Sequence, residues 1–168
     1  MQTDSTPMAD SGAAEPLSPL NVTDASIGIV VSDWHSDVTA ELLAGTIRRL
    51  TECGVETEDI YISHVPGAVE LAFGARQMAV IEEPSAVIML GCVMNDGSPN
   101  FNSVCGVVTQ AVTHLNLRND IPFIHGVLMV DDREQLDRLS GGDLQSLGAT
   151  YAESALKMVN VVANIVMR

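Results

Sequence analysis

The sequence predicts an α/β protein, a three-layer α/β/α sandwich around a four-stranded parallel sheet. Four short apolar runs bounded by turn residues favour this fold, because continuous apolar runs are typical of strands buried on both faces. Longer amphipathic segments separate these runs, as the right-handed crossovers of a parallel sheet require. A chain of 168 residues is long enough for one such domain with a core.

The elements follow from local patterns along the chain. The predicted strands lie at 27–32, 60–65, 86–92 and 122–130. Ser36 is the expected cap of the first helix and Gly54 its end. Pro66-Gly67 is expected to open the second helix, which runs to about residue 80. The other helices are predicted at 101–117, at 133–139 and, after a loop at 140–143, from about 147 to 166.

The N-terminal segment differs in composition from the rest. Residues 1–26 are rich in Ser, Thr, Pro, Ala, Gly and Asp and contain no Lys or Arg, which predicts a mobile, disordered acidic tail before a domain at 27–168. This segment has no basic stretch followed by an apolar one, so no secretory signal is expected. No apolar run approaches the roughly 20 residues that span a bilayer, so no membrane partner is expected.

Charge and cysteine content narrow the function further. The net charge is −14 with eight Lys and Arg in total and no basic stripe, which argues against a nucleic-acid partner. Such a chain should repel anionic ligands unless a cation is placed locally. Three cysteines without a CxxC pair or metal-ligand spacing indicate reduced thiols and a cytoplasmic location. The sequence contains no GxGxxG and no Walker loop, so dinucleotide and NTP binding lose their usual support.

Polar and turn-forming residues follow each predicted strand, where ligands bind in open α/β folds. The most informative segment is 91–105, a strand that runs into a polar loop and then a helix. The strand ends and the segments beside them read IGIVVSDWH at 27–35, VPGAVE at 65–70, GCVM at 91–94, SPNFNSVC at 98–105, IPFIHGVL at 121–128 and Glu134-Gln135. Together these motifs resemble the 6,7-dimethyl-8-ribityllumazine synthase family of the riboflavin pathway, over about residues 27–166.

The resemblance implies the lumazine synthase fold, with flavodoxin-like topology, and a condensation reaction. Members of the family join 5-amino-6-ribitylaminouracil to 3,4-dihydroxy-2-butanone 4-phosphate. An imine forms, phosphate leaves, and the ring closes with loss of water to give 6,7-dimethyl-8-ribityllumazine. The reaction needs no metal or organic cofactor. The site lies between subunits of a homopentamer, and in some members twelve pentamers form a 60-subunit shell.

The resemblance also assigns pyrimidine-binding positions. Trp34 corresponds to the aromatic residue that stacks on the heterocycle, a role that suits an indole. His125 falls at the usual Phe across the subunit boundary and adds a titratable donor. The segments expected to read the pyrimidine edge and to line the ribityl side are, respectively, Ala68-Val69-Glu70 and Cys92-Val93-Met94.

The positions for proton transfer and phosphate differ from the family pattern. Where the family reads Arg-Gly-x-Thr-Pro-His, this chain reads Asn95-Asp96-Gly97-Ser98-Pro99-Asn100. The family histidine is therefore Asn100, and the carboxylate that would orient it falls at Thr150. An amide has no useful pKa near 7 and cannot act as a general acid or base. Asp96 adds a negative charge beside the expected phosphate.

Two alignments remain open for the phosphate-binding arginine of the family. An ungapped alignment places Leu139 there, whereas a single deletion would place Arg138 there. A shift of one residue turns a helical side chain by about 100°. The nearby family lysine falls at Leu147. The backbone N–H groups of Gly97 and Ser98 are expected to be the remaining weak anion site.

Three functions stay open. The first is the family condensation with reduced activity, since loss of a general acid–base group costs about 10²–10⁴-fold. The second is a divergent paralogue that condenses a related heterocycle with an unphosphorylated carbonyl. The third is a non-catalytic flavin- or lumazine-binding protein, or a shell-forming one.

Overall fold

The computed structural model describes residues 24–95, 97 and 99–166. Most of the predicted tail, and Asp96 and Ser98 of the loop, lie outside these residues. The strands are β1 (Ile27–Ser32), β2 (Ile60–Val65), β3 (Ala86–Met94) and β4 (Phe123–Val130). The helices are α1 (Ser36–Glu52), α2 (Leu71–Ile81), α3 (Phe101–Arg118), α4 (Arg133–Ser140) and α5 (Leu144–Val166), and a single 3₁₀ turn at Thr57–Asp59 precedes β2.

The four strands form one parallel sheet in the order β2-β1-β3-β4. β1 and β3 are central, and β2 and β4 are the outer strands. The three-layer α/β fold with a four-stranded parallel sheet is therefore confirmed. All four carboxyl ends meet at one edge of the sheet, hereafter the carboxyl edge, which is the usual place for ligands in this class.

Helices cover both faces of the sheet. Ile29 and Val31 of β1 point to the face covered by α1, α4 and α5, while Val30 between them points to the face covered by α2 and α3. Successive strand residues point to opposite faces, and here both faces are buried. This double burial is the reason why the strands read as unbroken apolar runs.

Small residues bring α1 and α5 into close contact. A Cβ atom added at Gly45 would lie 1.9 Å from the carbonyl oxygen of Gln145, and one at Gly148 would lie 2.1 Å from that of Leu42. The hydroxyl of Thr46, buried in the same contact, donates to the Gly148 carbonyl at 3.0 Å. The two backbones therefore approach at a distance that only glycine permits.

Two predicted helix starts are wrong. Ser36 does not cap α1, because His35 occupies the cap position in a left-handed conformation with φ 57° and gives no side-chain capping bond. The second helix begins at Leu71 rather than at Pro66. The carbonyl groups of Val65 and Pro66 accept hydrogen bonds from the chain that leaves β1, which holds 65–66 outside the helix.

Two other boundaries move by a few residues. α5 begins at Leu144, earlier than expected, because the Asp143 carboxylate accepts the N–H of Ser146 and stabilises the first turn. At the other end of the chain, Ala25 is buried and Ser26 exchanges hydrogen bonds with Ser85. These two residues, assigned to the tail from composition, pack with the domain. No helix in the described part of the chain is long and apolar enough to cross a membrane.

Candidate functional site

The exits of β1 and β2 are joined by backbone hydrogen bonds at the carboxyl edge. The N–H of Asp33 donates to the Val65 carbonyl at 2.8 Å, and that of Trp34 donates to the Pro66 carbonyl at 3.2 Å. These bonds place Trp34 beside the turn at 66–70. Its side chain is 75% exposed, so it is not a core aromatic. An exposed indole in a fixed position is a suitable surface for a flat heterocycle.

In the turn at 66–70, Ala68 is buried and its neighbours are more exposed. Ala68 packs into the core beneath α2 and α3 and can offer a ligand only its backbone. Val69 and Glu70 are exposed. The Glu70 carboxylate lies over Gly67, since a Cβ atom there would be 3.0 Å from Glu70 Oε2. The segment expected to read the pyrimidine edge therefore borders Trp34.

The last residues of β3 are less exposed. Cys92 is buried, and burial raises the pKa of its thiol to about 11, while Arg133 lowers it and Asp37 raises it further. The thiol is protonated at neutral pH and is unsuited to act as a nucleophile. Val93 and Met94 are half-buried and pack against opposite faces of the sheet.

The loop after β3 is held by Asn95. Its N–H donates to the Val130 carbonyl at 2.9 Å, and its side-chain amide donates to Asp131 Oδ1 at 3.2 Å. Its Oδ1 atom accepts the N–H of Gly97 at 3.0 Å, and Gly97 has φ 82°. The Gly97 N–H, expected to be available to an anion, is therefore already bonded within the loop. This local turn is typical of an Asn side chain followed by glycine.

The two positions that replace the family's histidine and carboxylate lie on different helices. Asn100 precedes α3, and its carbonyl accepts the Val104 N–H at 2.9 Å. Thr150 is exposed on α5, and its hydroxyl donates to the Leu147 carbonyl at 2.7 Å. Because α3 and α5 cover opposite faces of the sheet, positions 100 and 150 of one chain lie in different helical layers.

On α4, the two alternatives for the phosphate-binding position differ in chemistry. Leu139 is 57% exposed and has no charge to offer. Arg138 is also exposed, but its guanidinium pairs with Glu134 one turn earlier on the same helix. Leu147, at the family lysine position, packs against the core on the α1 and α5 side. The exposed cation nearest in sequence to Leu139 thus already has an acidic partner.

A second ion pair ties α4 to α1. Arg133, the first residue of α4, pairs with Asp37 in the first turn of α1. The hydrogen bond from Arg133 lowers the pKa of the Asp37 carboxyl. Both arginines of α4 are therefore paired with carboxylates within the chain. Asp131 and Asp132, which follow β4, add further negative charge at this edge.

His125 lies near the start of the outer strand β4, paired in register with Met89 and not with the last residues of β3. Its ring is largely buried, and burial lowers its pKa, so the imidazole is neutral at pH 7. Its Nε2 atom is buried without a hydrogen-bond partner among the described residues. A buried polar atom without a partner costs stability, which makes this ring a candidate for contact with a second molecule.

Sequence patterns missed two features at the carboxyl edge. Phe73 is 70% exposed near the start of α2, and the apolar pattern of that helix does not mark it as exposed. His64 and Asp33 form a pair 2.9 Å apart, which only the pairing of β1 with β2 reveals.

A pocket of about 250 Å³ lies at the opposite edge, lined by residues 79–80, 83–84 and 119–121, and is not part of this site. Within the described ranges, no three His, Cys, Asp or Glu side chains are placed to hold a metal ion.

These features define a three-layer α/β protein with an exposed aromatic platform and an acidic loop at the carboxyl edge. The family model for 6,7-dimethyl-8-ribityllumazine synthase matches residues 24–163. A 6,7-dimethyl-8-ribityllumazine synthase of Parabacteroides distasonis is 45% identical over 146 residues, covering 85% of this chain and 91% of that protein. A protein of the same name from Bacteroides fragilis is 41% identical, and the match covers 80% of this chain and 94% of that protein. Another from Limosilactobacillus reuteri is 35% identical, and the match covers 84% of this chain and 91% of that protein. The chain belongs to the 6,7-dimethyl-8-ribityllumazine synthase family.

Proposed function

We propose that this chain condenses 5-amino-6-ribitylaminouracil with 3,4-dihydroxy-2-butanone 4-phosphate to 6,7-dimethyl-8-ribityllumazine, in riboflavin biosynthesis, at a reduced rate. One observation carries the proposal. Trp34 is exposed and is fixed by backbone hydrogen bonds beside the turn that ends in Val69 and Glu70. This arrangement offers a stacking surface next to polar groups that can read a pyrimidine edge.

Holding the two reactants together can supply much of the rate enhancement of such a condensation. Proximity and orientation supply up to about 7–11 kcal/mol of a barrier in favourable cases. Asn100 cannot transfer protons as a histidine does, so the rate should fall by about 10²–10⁴-fold unless another group takes the role. The chemistry requires no metal or organic cofactor in the family that the chain resembles, and we propose the same here.

The proposed site is shared between subunits of a homopentamer. His125 supports this arrangement, because its ring lies on an outer strand, several residues from the carboxyl edge of its own sheet. Thr150 supports it as well, since α5 and α3 lie on opposite faces. A neighbouring chain would bring both positions to the edge that carries Trp34. We place this assembly in the cytoplasm, where three unpaired cysteines are stable as thiols.

A second candidate function is condensation with an unphosphorylated carbonyl. The local charges favour it, because Arg133 and Arg138 are each paired with a carboxylate. The Gly97 N–H is bonded to Asn95 rather than open to an anion. A phosphate at this edge would also meet Asp131, so it would bind more weakly than a neutral carbonyl compound of similar shape.

One assay separates these functions. The full chain is incubated with the ribityl-aminopyrimidine and either 3,4-dihydroxy-2-butanone 4-phosphate or an unphosphorylated four-carbon analogue such as diacetyl, and lumazine absorbance is followed. With 3,4-dihydroxy-2-butanone 4-phosphate we expect turnover above the uncatalysed rate, and a KM for this substrate higher than in a chain that keeps the family's phosphate-binding residues. A higher kcat/KM with the unphosphorylated compound would favour the second candidate. Tight binding of a flavin or lumazine with no turnover of either carbonyl would leave the non-catalytic function.

A further inference from the structure

An imidazole–carboxylate pair lies beside Trp34, outside the positions that the family pattern assigns. Nδ1 of His64 and Oδ1 of Asp33 are 2.9 Å apart. Asp33 directly follows β1, and His64 lies near the end of the neighbouring strand β2. The pair therefore joins two strand ends at the carboxyl edge, where ligands bind in this fold class.

Backbone hydrogen bonds fix this pair relative to the indole. The Asp33 N–H donates to the Val65 carbonyl, and the next N–H along the chain, that of Trp34, donates to Pro66. One short segment thus sets the position of both the carboxylate and the stacking surface. Both members of the pair are more than half exposed. The imidazole is therefore accessible from solvent at the edge of the sheet that carries Trp34.

We propose that Asp33 and His64 form the proton-transfer pair of this site, in place of the family's histidine and carboxylate at positions 100 and 150. The inference rests on the proposed condensation. Because Asp33 accepts the Nδ1–H of His64, the neutral imidazole presents the lone pair of Nε2 to solvent. His64 is then the general acid and base, and Asp33 orients its ring.

The proton transfers balance without a co-reactant. In the first transfer, Nε2 takes a proton from the pyrimidine amine as its nitrogen bonds to the ketone carbon, and returns that proton to the carbonyl oxygen. In the second, Nε2 takes the remaining nitrogen proton and delivers it to the new hydroxyl group. That hydroxyl leaves as water while the C=N bond of the imine forms. The imidazole is neutral again after each transfer.

Other groups at this edge suit the role less well. The Cys92 thiol is buried and protonated at neutral pH. His35 lies near Asp37, but Asp37 is already paired with Arg133 and does not orient that imidazole. A purely structural role for the new pair is also weak, since exposed ion pairs contribute little to stability.

The test measures steady-state kinetics of the full chain with both substrates between pH 5 and 9. We expect His64→Gln to lower kcat by about 10²-fold or more with little change in KM, and to flatten the pH dependence of kcat near the range where histidines titrate. Asp33→Asn should lower kcat less, because the imidazole remains but loses its orienting charge. His114→Gln, an exposed histidine on α3, is the matched control and should keep wild-type kinetics.

The outcomes are distinct. If His64→Gln keeps the turnover and the pH profile of the unaltered chain, the role of the pair in proton transfer is overturned and the proposed function stands. No turnover by the unaltered chain would overturn both. A loss of activity in His64→Gln that comes with a raised KM and an unchanged pH profile would indicate a binding role and would also overturn the proposal. Circular dichroism and thermal melting of each variant establish that the fold is intact.

Discussion

Trp34 is the residue on which the proposed ligand site most depends. Its indole is exposed, so removing it should not disturb the core. We expect Trp34→Ala to weaken binding of the ribityl-aminopyrimidine or of a lumazine about tenfold, because stacking contributes about 0.5–1.5 kcal/mol beyond burial. Fluorescence or calorimetric titration measures the change. Trp34→Phe keeps an aromatic ring and should retain most of the affinity; equal loss in both variants would argue against stacking.

Asn100 and Leu139 are the two residues whose chemistry departs most from the family pattern. Asn100→His adds a group that titrates near neutral pH, and Leu139→Arg adds an exposed cation on α4. We expect the double variant to raise kcat/KM for the phosphorylated substrate at least tenfold, with a higher kcat from the histidine and a lower KM from the arginine. Each single variant serves as the control for the other. A decrease in kcat/KM from Arg138→Leu alone would instead point to the gapped alignment on this helix, in which Arg138 binds the phosphate.

At the scale of elements, the contact between α1 and α5 depends on glycine. We expect Gly148→Ala to destabilise the fold by about 1–3 kcal/mol, because its Cβ would lie 2.1 Å from a backbone oxygen that cannot move freely. Chemical denaturation measures the free energy of unfolding. Gly106→Ala in α3 is the matched control: a Cβ there meets nothing within 4 Å in the described part of the chain, and should stabilise by about 0.5–1 kcal/mol. Equal effects would contradict the tight crossing.

The ion pair between α1 and α4 makes stability depend on pH. The hydrogen bond from Arg133 lowers the pKa of the Asp37 carboxyl, so the ionised carboxylate stabilises the fold above the ordinary pKa of an aspartate. The contribution is lost as pH falls through the lowered pKa. We expect Asp37→Asn to reduce Tm slightly at pH 7 and to reduce it by less in acid, as the carboxylate becomes protonated. Glu58→Gln, in the 3₁₀ turn before β2, is a control without an ion pair to the described residues.

At the scale of the whole molecule, exposed apolar side chains on α2, α3 and α5 fit an assembly of several chains. These side chains include Phe73, Val80, Ile81, Val107, Leu117, Val161 and Ile165. We expect sedimentation to give a species about five times the 17.8 kDa chain. A monomer at micromolar concentration would contradict the proposed pentamer, whereas a much larger species would indicate a shell.

A shared site predicts complementation between variants. Trp34→Ala chains and His125→Ala chains should each have low activity, because each lacks one side of every site. When the two are unfolded, mixed and refolded together, about one site in four should regain both intact residues. Activity after mixing should therefore exceed that of either variant refolded alone. Equal activity before and after mixing would place both residues in the site of one chain, or His125 outside the site.

Local sequence patterns were enough to predict the layers, the parallel sheet and the family. The strand β1 was predicted with its observed bounds, because its apolar run is buried on both faces and ends in turn residues. Motifs at the strand ends also identified Trp34 and the turn at 66–70 as candidate site residues. Burial and periodicity depend on neighbours along the chain, so these features can be read from the sequence itself.

Only the tertiary structure decided which groups at the carboxyl edge are available. The start of α2 moved because carbonyls of 65–66 bond to the exit of β1. The Gly97 N–H proved to be bonded to Asn95, and His64 proved to pair with Asp33. The last of these depends on the register between two strands separated by a whole helix, and that register is set by packing. The sequence therefore determined where a ligand site would form, and the packing of distant segments determined which atoms remain free to act there.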